Sequence, residues 1–152
     1  MKILITGING QVGHALMQQL CDHELIGLTR EECDLTQLDQ IKLIIDYHRP
    51  NLIINPAAYT KVDQAEDEKD LAFQINRDAP RVMAEKALEY NIPFIYFSTD
   101  YVFDGKKKGA YIEKDSTNPL GIYGKSKVAG EDAIKKVGGN FFIFRTSWVY
   151  SN

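Results

Sequence analysis

Short runs of apolar residues alternate along the chain with longer segments in which apolar residues recur every three or four positions. The short runs, each apolar throughout as in strands covered on both faces, predict five strands: Lys2–Thr6, Glu24–Leu28, Leu52–Asn55, Ile92–Phe97 and Phe141–Arg145. The longer segments predict helices over residues 12–21, 38–47, 63–90 and 125–137. Such alternation is typical of βαβ units. We therefore expect an α/β fold with a doubly wound, Rossmann-like parallel sheet, strand order 3-2-1-4-5 and helices on both faces.

Composition and charge narrow the class of protein. The chain has 152 residues, 44% of them hydrophobic, which is enough for one compact domain. A net charge of -3 provides no broad basic surface, so we expect neither nucleic acid nor a membrane as a partner. The apolar runs are far shorter than the roughly 20 residues that span a bilayer, and the N-terminus lacks a signal sequence pattern, so we predict a cytoplasmic protein. The sequence leaves open whether two copies form a homodimer.

The two cysteines do not indicate a metal centre. Cys21 and Cys33 form no CxxC motif and have no nearby histidine partner. We therefore predict two structural thiols rather than a zinc site or a disulfide, and no metal-binding residues.

Three glycines, Gly7, Gly10 and Gly13, stand three residues apart between the first predicted strand and the first predicted helix. Glycine lets the backbone turn tightly and lets a phosphate approach the N–H groups at the start of a helix. The spacing GxxGxxG departs from the standard dinucleotide motif GxGxxG, but the strand–turn–helix setting is the same. This turn therefore predicts a binding site for the pyrophosphate of a dinucleotide.

The end of the second predicted strand indicates which dinucleotide is bound. In this type of fold an acidic residue here binds the free ribose 2′-hydroxyl, whereas a basic residue accommodates a 2′-phosphate. Arg30 therefore favours NADPH, while the adjacent Glu31 and Glu32 keep NADH as an alternative.

Three further side chains suggest chemistry on a carbonyl group. Tyr123 and Lys127 lie four residues apart at the start of the last predicted helix, so they project from the same face. A lysine ammonium beside a phenol lowers the phenol pKa and eases proton transfer at neutral pH. The fourth predicted strand leads into Ser98-Thr99-Asp100, at the carboxyl edge of the sheet where open α/β folds bind ligands, and a hydroxyl there could bind a carbonyl oxygen beside the tyrosine. With the glycine turn, this set predicts hydride transfer.

Five motifs occur in order along the chain: TGINGQVG at 6–13, NPAAY at 55–59, STDYVFDG at 98–105, YGKSK at 123–127 and RTSWVY at 145–150. In this combination the chain resembles the dTDP-4-dehydrorhamnose reductases, a family of extended short-chain dehydrogenases/reductases, over essentially its whole length. The resemblance implies that NADPH delivers hydride to C4 of dTDP-4-dehydro-L-rhamnose, giving dTDP-L-rhamnose for surface polysaccharide. It also implies that Thr99 binds the C4 carbonyl oxygen, that Tyr123 donates the proton, and that Lys127 holds the nicotinamide ribose and lowers the Tyr123 pKa.

The same resemblance assigns the remaining contacts. The cofactor-binding residues it implies are Gly7, Gly10, Gln11, Val12, Gly13, Arg30, Asp34, Leu35, Ala57, Ala58, Tyr59, Tyr123 and Lys127. Those it implies for the deoxysugar are Thr99, Asp100, Val102 and Trp148. From the residues alone, helix–sheet packing remains an alternative role for Ala57 and Ala58, and a core position remains one for Trp148.

Two other functions stay open. A nucleotide-sugar 4,6-dehydratase or epimerase shares the glycine turn and the YxxxK motif, but such dehydratases carry Asp and then Glu after the threonine, and here Asp100 is followed by Tyr101. A non-catalytic NADP-binding regulatory subunit is the second alternative, although such relatives have typically lost the tyrosine–lysine pair.

The family pattern also bears on domain organisation. A reductase of this family has a further C-terminal part that closes over the nucleotide, and the last predicted strand would otherwise expose a sheet edge. We therefore expect residues 1–152 to be the cofactor-binding domain of a longer protein.

Overall fold

Five parallel strands form a single sheet in the computed structural model, which describes residues 1–150. They are β1 (Lys2–Thr6), β2 (Glu24–Leu28), β3 (Leu52–Asn55), β4 (Phe94–Thr99) and β5 (Phe141–Thr146). The predicted α/β class and parallel sheet are confirmed. β4 begins two residues later than predicted because the chain turns at Asn91, which has a positive φ of 50°, and Pro93 follows.

The order of the strands is β2-β1-β3-β4-β5, so the predicted order 3-2-1-4-5 is wrong. β3 pairs with β1, placing Leu4 beside Ile53, instead of lying outside β2. After β2 the chain forms turns and then helix α2 (Leu38–His48), which crosses to the opposite side of β1 and leaves β2 at the edge of the sheet. The winding therefore reverses between β1 and β3, and the topological switch point still lies at the carboxyl end of β1.

Within residues 1–150, five α-helices accompany the sheet: α1 (Gln11–Gln19), α2, α3 (Lys69–Phe73), α4 (Ala79–Glu89) and α5 (Ile122–Val137). The helix predicted over 63–90 is interrupted. It consists of a 3₁₀ turn at Gln64–Glu66, then α3, a π-helical turn at Gln74–Asp78, and α4. Asn76 is fully buried in the π-helical turn, where its side chain bonds to residues far away in sequence. A single-residue insertion of this type barely disturbs apolar periodicity, so the pattern did not reveal it.

Helices cover the two faces of the sheet unequally. α2, α4 and α5 pack on one face in a large core that includes Leu4, Ile53 and Phe94. α1 packs on the other face against Ile3 and Ile5. The unequal cover leaves part of β5, one of the two edge strands, exposed.

The prediction that β5 is covered on both faces is wrong. Phe141 and Ile143 pack against the large core, whereas Phe142 and Phe144 are about half exposed, at 51% and 49%. Side-chain exposure alternates along β5 because α1 lies over β1 and leaves this part of the second face open to solvent.

No helix within residues 1–150 has the length and apolar character needed to cross a membrane.

Candidate active site

The carboxyl ends of β1, β3 and β4 open into one cavity of about 1070 Å³. Small-molecule sites typically have volumes of about 300–1000 Å³, so this cavity is large enough for a dinucleotide. The predicted site residues that line it are Gly7, Gly10, Gln11, Val12, Gly13, Arg30, Asp34, Leu35, Ala57, Ala58, Tyr59, Thr99, Asp100, Tyr123, Lys127 and Trp148. Trp148 is 78% exposed, so it is a wall residue rather than a core residue.

Val102 is the predicted site residue that the structure does not bring to the cavity. It ends a 3₁₀ turn at Asp100–Val102, and its side chain is fully buried. Its carbonyl accepts a hydrogen bond from the Asn118 backbone N–H at 2.9 Å. Its side chain therefore belongs to the protein interior and does not line the cavity.

The glycine turn is shaped by close contacts that exclude a Cβ atom. Gly7 has a φ of +61°, and a Cβ there would lie 2.8 Å from the Ala57 Cβ. A Cβ on Gly13 would lie 2.3 Å from the Gly7 carbonyl oxygen. α1 follows Gly10, which has no side chain to cap the helix, so the N–H groups of its first turn are available to an anion. The turn therefore fits the pyrophosphate of a dinucleotide.

The charged residues after β2 separate into two groups. Arg30 is exposed and lines the cavity, whereas Glu31 and Glu32 do not line it. The Glu32 carboxylate accepts a hydrogen bond from the Thr29 backbone N–H at 2.8 Å, so it caps the turn that follows the strand. Of these three residues, the one at the cavity is therefore the cation, which suits a 2′-phosphate.

Lys127 lies deep beneath the cavity, with only 2% of its surface exposed. Its Nζ donates a hydrogen bond to the Phe97 carbonyl oxygen at 2.6 Å and lies 4.2 Å from the centre of the Tyr96 ring. Burial lowers the Lys127 pKa to about 7, although the negative charge of Glu131 acts in the opposite direction. At neutral pH this lysine is thus close to its midpoint of protonation.

Tyr123 lies in the first turn of α5, with its ring edge-on to that of Tyr101 at 5.6 Å. Burial raises the Tyr123 pKa, the Thr99 hydroxyl lowers it, and the negative charge of Asp100 raises it further. The net shift is upward, so the predicted lowering of the Tyr123 pKa by Lys127 is wrong in this structure. The physical reason is that burial dominates, while the lysine is bonded to the Phe97 carbonyl. The phenol therefore keeps its proton at neutral pH.

Thr99 ends β4 at the edge of the cavity and is largely buried. Its hydroxyl accepts a hydrogen bond from the Tyr101 backbone N–H at 3.2 Å and donates one to Asp100 Oδ1 at 3.1 Å. These bonds keep the hydroxyl oxygen at the cavity, within the set of residues that includes Tyr123 and Lys127.

The start of α5 is held by a residue that the sequence did not single out. The Ile122 backbone N–H donates a hydrogen bond to Glu66 Oε1 at 2.7 Å. Gly121 precedes the helix and has no side chain to cap it. Glu66, from a distant segment of the chain, accepts a hydrogen bond from one of the free N–H groups instead, and its negative charge interacts favourably with the positive end of the helix dipole. This contact places Tyr123 relative to the cavity.

Two other buried polar residues escaped the sequence analysis. Asn76 accepts a hydrogen bond from the Tyr59 backbone N–H at 2.9 Å and donates one to the Ser126 hydroxyl at 2.9 Å. Glu131 is completely buried one helical turn after Lys127. The spacing YxxxKxxxE was the available signal for Glu131, whereas no local pattern marked Asn76. Across residues 1–150, no group of three or more His, Cys, Asp or Glu side chains is arranged to hold a metal ion.

Fold and site together define a class of protein. A glycine turn lies at the switch point of a parallel sheet, and a threonine, a tyrosine and a buried lysine line the same cavity. This is the arrangement of a dinucleotide-binding domain of the short-chain dehydrogenase/reductase type.

Comparison with known proteins gives the family. Residues 1–152 match the family described as RmlD substrate binding domain. A dTDP-4-dehydrorhamnose reductase from Aggregatibacter actinomycetemcomitans is 44% identical over 152 residues, which cover 98% of this chain and 52% of that protein. The chain belongs to the RmlD family, and the resemblance seen in its motifs is confirmed.

Two solved structures show the same fold. The NADP complex of dTDP-4-dehydrorhamnose reductase from Bacillus anthracis has a TM-score of 0.93 and 40% identity, and the match covers 98% of this chain and 54% of that one. A dTDP-4-dehydrorhamnose reductase from Clostridium acetobutylicum has a TM-score of 0.96 and 39% identity, over 100% of this chain and 55% of that one. The chain thus spans about half the length of the relatives it matches.

Proposed function

We propose that this protein is an NADPH-dependent reductase that converts dTDP-4-dehydro-L-rhamnose to dTDP-L-rhamnose, and that residues 1–152 are its cofactor-binding domain. The observation that carries the proposal is that Thr99, Tyr123 and Lys127 line the same cavity as the glycine turn. The choice of substrate is supported by two relatives named dTDP-4-dehydrorhamnose reductase, which are 44% and 40% identical to this chain. An enzyme that uses a nucleotide sugar and NADPH works where both are made, so we place it in the cytoplasm.

Reduction of a ketone requires a hydride at carbon and a proton at oxygen. Bound NADPH supplies the hydride. Tyr123 is suited to supply the proton because burial raises its pKa, so the phenol is protonated at neutral pH. The Thr99 hydroxyl lies at the same edge of the cavity, and by turning its one proton from Asp100 Oδ1 to the carbonyl oxygen it can orient that oxygen.

Lys127 has a different task. An ammonium carries three donors, and the Phe97 carbonyl accepts one of them at 2.6 Å. The remaining donors are available to the hydroxyls of a nicotinamide ribose. Because the lysine is anchored to the Phe97 carbonyl of β4, two residues before Thr99, it would hold that ribose beside the Thr99 hydroxyl.

The other half of the cofactor is held by the first βα unit. The first turn of α1 offers N–H donors to the pyrophosphate, and Gly7 and Gly10 let it approach the backbone. Arg30 faces the cavity while Glu32 is turned away, so the ribose end carries a cation that pairs with a 2′-phosphate. These contacts favour NADPH over NADH.

The residue after Asp100 argues against dehydration. A 4,6-dehydratase requires a second acid at this position, and here Tyr101 packs against the Tyr123 ring instead. An elimination at C5 would therefore lack its base, whereas a simple reduction needs no such group. The intact Tyr123 and Lys127 also argue against a purely regulatory subunit.

The test is NADPH consumption by the native gene product with dTDP-4-dehydro-L-rhamnose, followed by chromatography of the product. We expect Tyr123→Phe to reduce turnover by about 10²–10⁴-fold while NADPH still binds. Tyr101→Phe is the matched control, since Tyr101 also lines the cavity but has no assigned proton, and we expect it to retain most of the activity.

Each alternative has its own signature in this assay. Wild-type turnover by Tyr123→Phe would show that another group donates the proton. Reduction of a different keto sugar nucleotide, with this substrate left unchanged, would correct the substrate. NADPH binding without reduction of any keto sugar would favour the regulatory subunit.

A further inference from the structure

Glu131 is a completely buried carboxylate that no step above uses. Both of its oxygens are hydrogen-bonded: Oε1 accepts from the Ser98 hydroxyl at 2.7 Å and from Arg145 Nε at 2.9 Å, and Oε2 accepts from Arg145 Nη2 at 2.6 Å and from Lys135 Nζ at 3.3 Å. Burial by itself raises the Glu131 pKa, but the bonds from Arg145 and Ser98 outweigh it and lower the pKa. The side chain is therefore an anion at neutral pH.

The position of Glu131 relates it to the cavity. Lys127 and Glu131 lie one turn apart on α5, and they contact consecutive residues of β4: Lys127 bonds to the Phe97 carbonyl, and Glu131 bonds to the Ser98 hydroxyl. The next residue along β4 is Thr99. Helix α5 is thus hydrogen-bonded to β4 at two consecutive residues, immediately before the Thr99 hydroxyl that lines the cavity.

Glu131 also contacts β5, an edge strand of the sheet. Arg145 of β5 pairs with Ser98 in the sheet register, and its guanidinium binds both oxygens of Glu131. A two-point contact of this kind fixes orientation as well as distance. One carboxylate therefore joins α5, β4 and β5 beneath the cavity.

Glu131 also affects the protonation of Lys127. The groups that face the ammonium are Glu131 on α5 and, on β4, the Phe97 carbonyl and the Tyr96 ring. Tyr123 lies one turn before it on the same helix, and Arg145 stands behind Glu131 on β5. Within this set Glu131 is the anion, so its charge favours the protonated form of the lysine.

We propose that Glu131 is a positioning residue of the reductase site: it fixes β4 and β5 against α5 and places a negative charge one helical turn from the Lys127 ammonium. This role rests on the proposed function, because it assigns Lys127 to the nicotinamide ribose. Glu131 itself touches no substrate or cofactor in this scheme. It acts through Ser98 and Lys127.

Two measurements on the chain test the proposal. The first follows the pKa of Lys127 by NMR, through the ¹³Cε shift of labelled lysine, in the cofactor-free protein. The second measures NADPH affinity by calorimetry across pH. The variants are Glu131→Gln, which keeps the shape and removes the charge, and Ser98→Ala, which removes the link to β4 and keeps the charge. Asp132→Asn is the control, since it removes a carboxylate from the next, exposed position of α5.

We expect Glu131→Gln to lower the Lys127 midpoint by about one pH unit and to move the loss of NADPH binding to lower pH by a similar amount. Ser98→Ala should weaken NADPH binding by about three- to tenfold without a comparable shift in the midpoint. Asp132→Asn should match the wild type in both measurements. A residue that only supports folding would change thermal stability and leave the midpoint where it is.

Glu131→Gln leaves Arg145 buried without its anion, so a second variant guards against simple unfolding. Glu131→Gln combined with Arg145→Met removes both charges, and it should show the same direction of shift. A wild-type Lys127 midpoint in both Glu131 variants would overturn the proposal. Absence of NADPH binding by the wild type would instead contradict the proposed function, and the NMR titration would still decide the role of Glu131.

Discussion

Asn76 Nδ2 donates a hydrogen bond to the Ser126 hydroxyl at 2.9 Å, which joins the π-helical turn to the middle of α5. Ser126 in turn donates to the Tyr123 carbonyl at 2.7 Å. The Asn76 side chain also exchanges two hydrogen bonds with the backbone of Tyr59, at 2.9 and 3.1 Å. One buried amide therefore ties the wall of the cavity to the helix that carries Tyr123 and Lys127.

Asn76→Ala should destabilise the protein by about 2–4 kcal/mol, because it leaves the buried polar groups of Tyr59 and Ser126 without partners. Urea unfolding followed by circular dichroism measures the change. Asn118→Ala is the control, since Asn118 is exposed and makes one side-chain bond to Asp104, and it should cost less than about 1 kcal/mol. Equal costs for the two variants would show that the Asn76 network is not a stabilising unit.

Arg30→Ala should change the choice of dinucleotide. Because Arg30 lines the cavity and Glu31 does not, removal of the guanidinium is expected to weaken NADPH binding by about tenfold and to leave NADH binding nearly unchanged. Calorimetric titration of each cofactor gives the ratio of the two affinities. Glu31→Gln removes the neighbouring charge and should preserve the ratio. A preserved ratio in Arg30→Ala would mean that another group binds the 2′-phosphate.

Lys127→Met should make the protein more stable while it removes activity. Burial lowers the Lys127 pKa to about 7, whereas the unfolded chain has an ordinary lysine near 10.4. The unfolded state therefore binds more protons between these two values, and the stability of the wild type rises with pH across that window. Burial of the charged lysine lowers the free energy of unfolding, fully below about pH 7 and progressively less above it.

The variant should thus exceed the wild type by on the order of 2 kcal/mol at about pH 6, after the loss of the bond to the Phe97 carbonyl, and by less at about pH 9. Urea unfolding at the two pH values is the measurement. Lys125→Met, at an exposed position two residues earlier, should show no pH-dependent difference. A constant difference for Lys127→Met would contradict a lowered lysine pKa.

The two cysteines should react at very different rates. Burial, assisted by the negative charge of Asp34, raises the Cys33 pKa to about 11, so little thiolate exists near neutral pH. Cys21 is exposed. Iodoacetamide at about pH 8 should therefore modify Cys21 and leave Cys33 intact, as peptide mass spectrometry would show. Both should react in the urea-unfolded chain, and comparable rates in the folded chain would show that Cys33 is accessible.

Local pattern predicted most of the secondary structure. β1, β2 and β3 have the predicted boundaries because each is a short, mainly apolar run flanked by turn residues, where the strand propensity is high. The prediction failed for residues 63–90, where the π-helical turn exists because Asn76 bonds to Tyr59 and Ser126, which lie 17 and 50 residues away. A periodicity within one segment holds no information about such partners.

The sequence by itself determined the α/β class, and it singled out the glycine turn, Thr99, Tyr123 and Lys127 as candidate site residues, because these depend on residue type and local spacing. Tertiary structure alone decided the order of the strands, since a crossover helix can lead to either side of β1. It also decided the protonation of the site. Burial of Tyr123 and Lys127 outweighs the pairing expected from their spacing, because burial depends on every element packed around them.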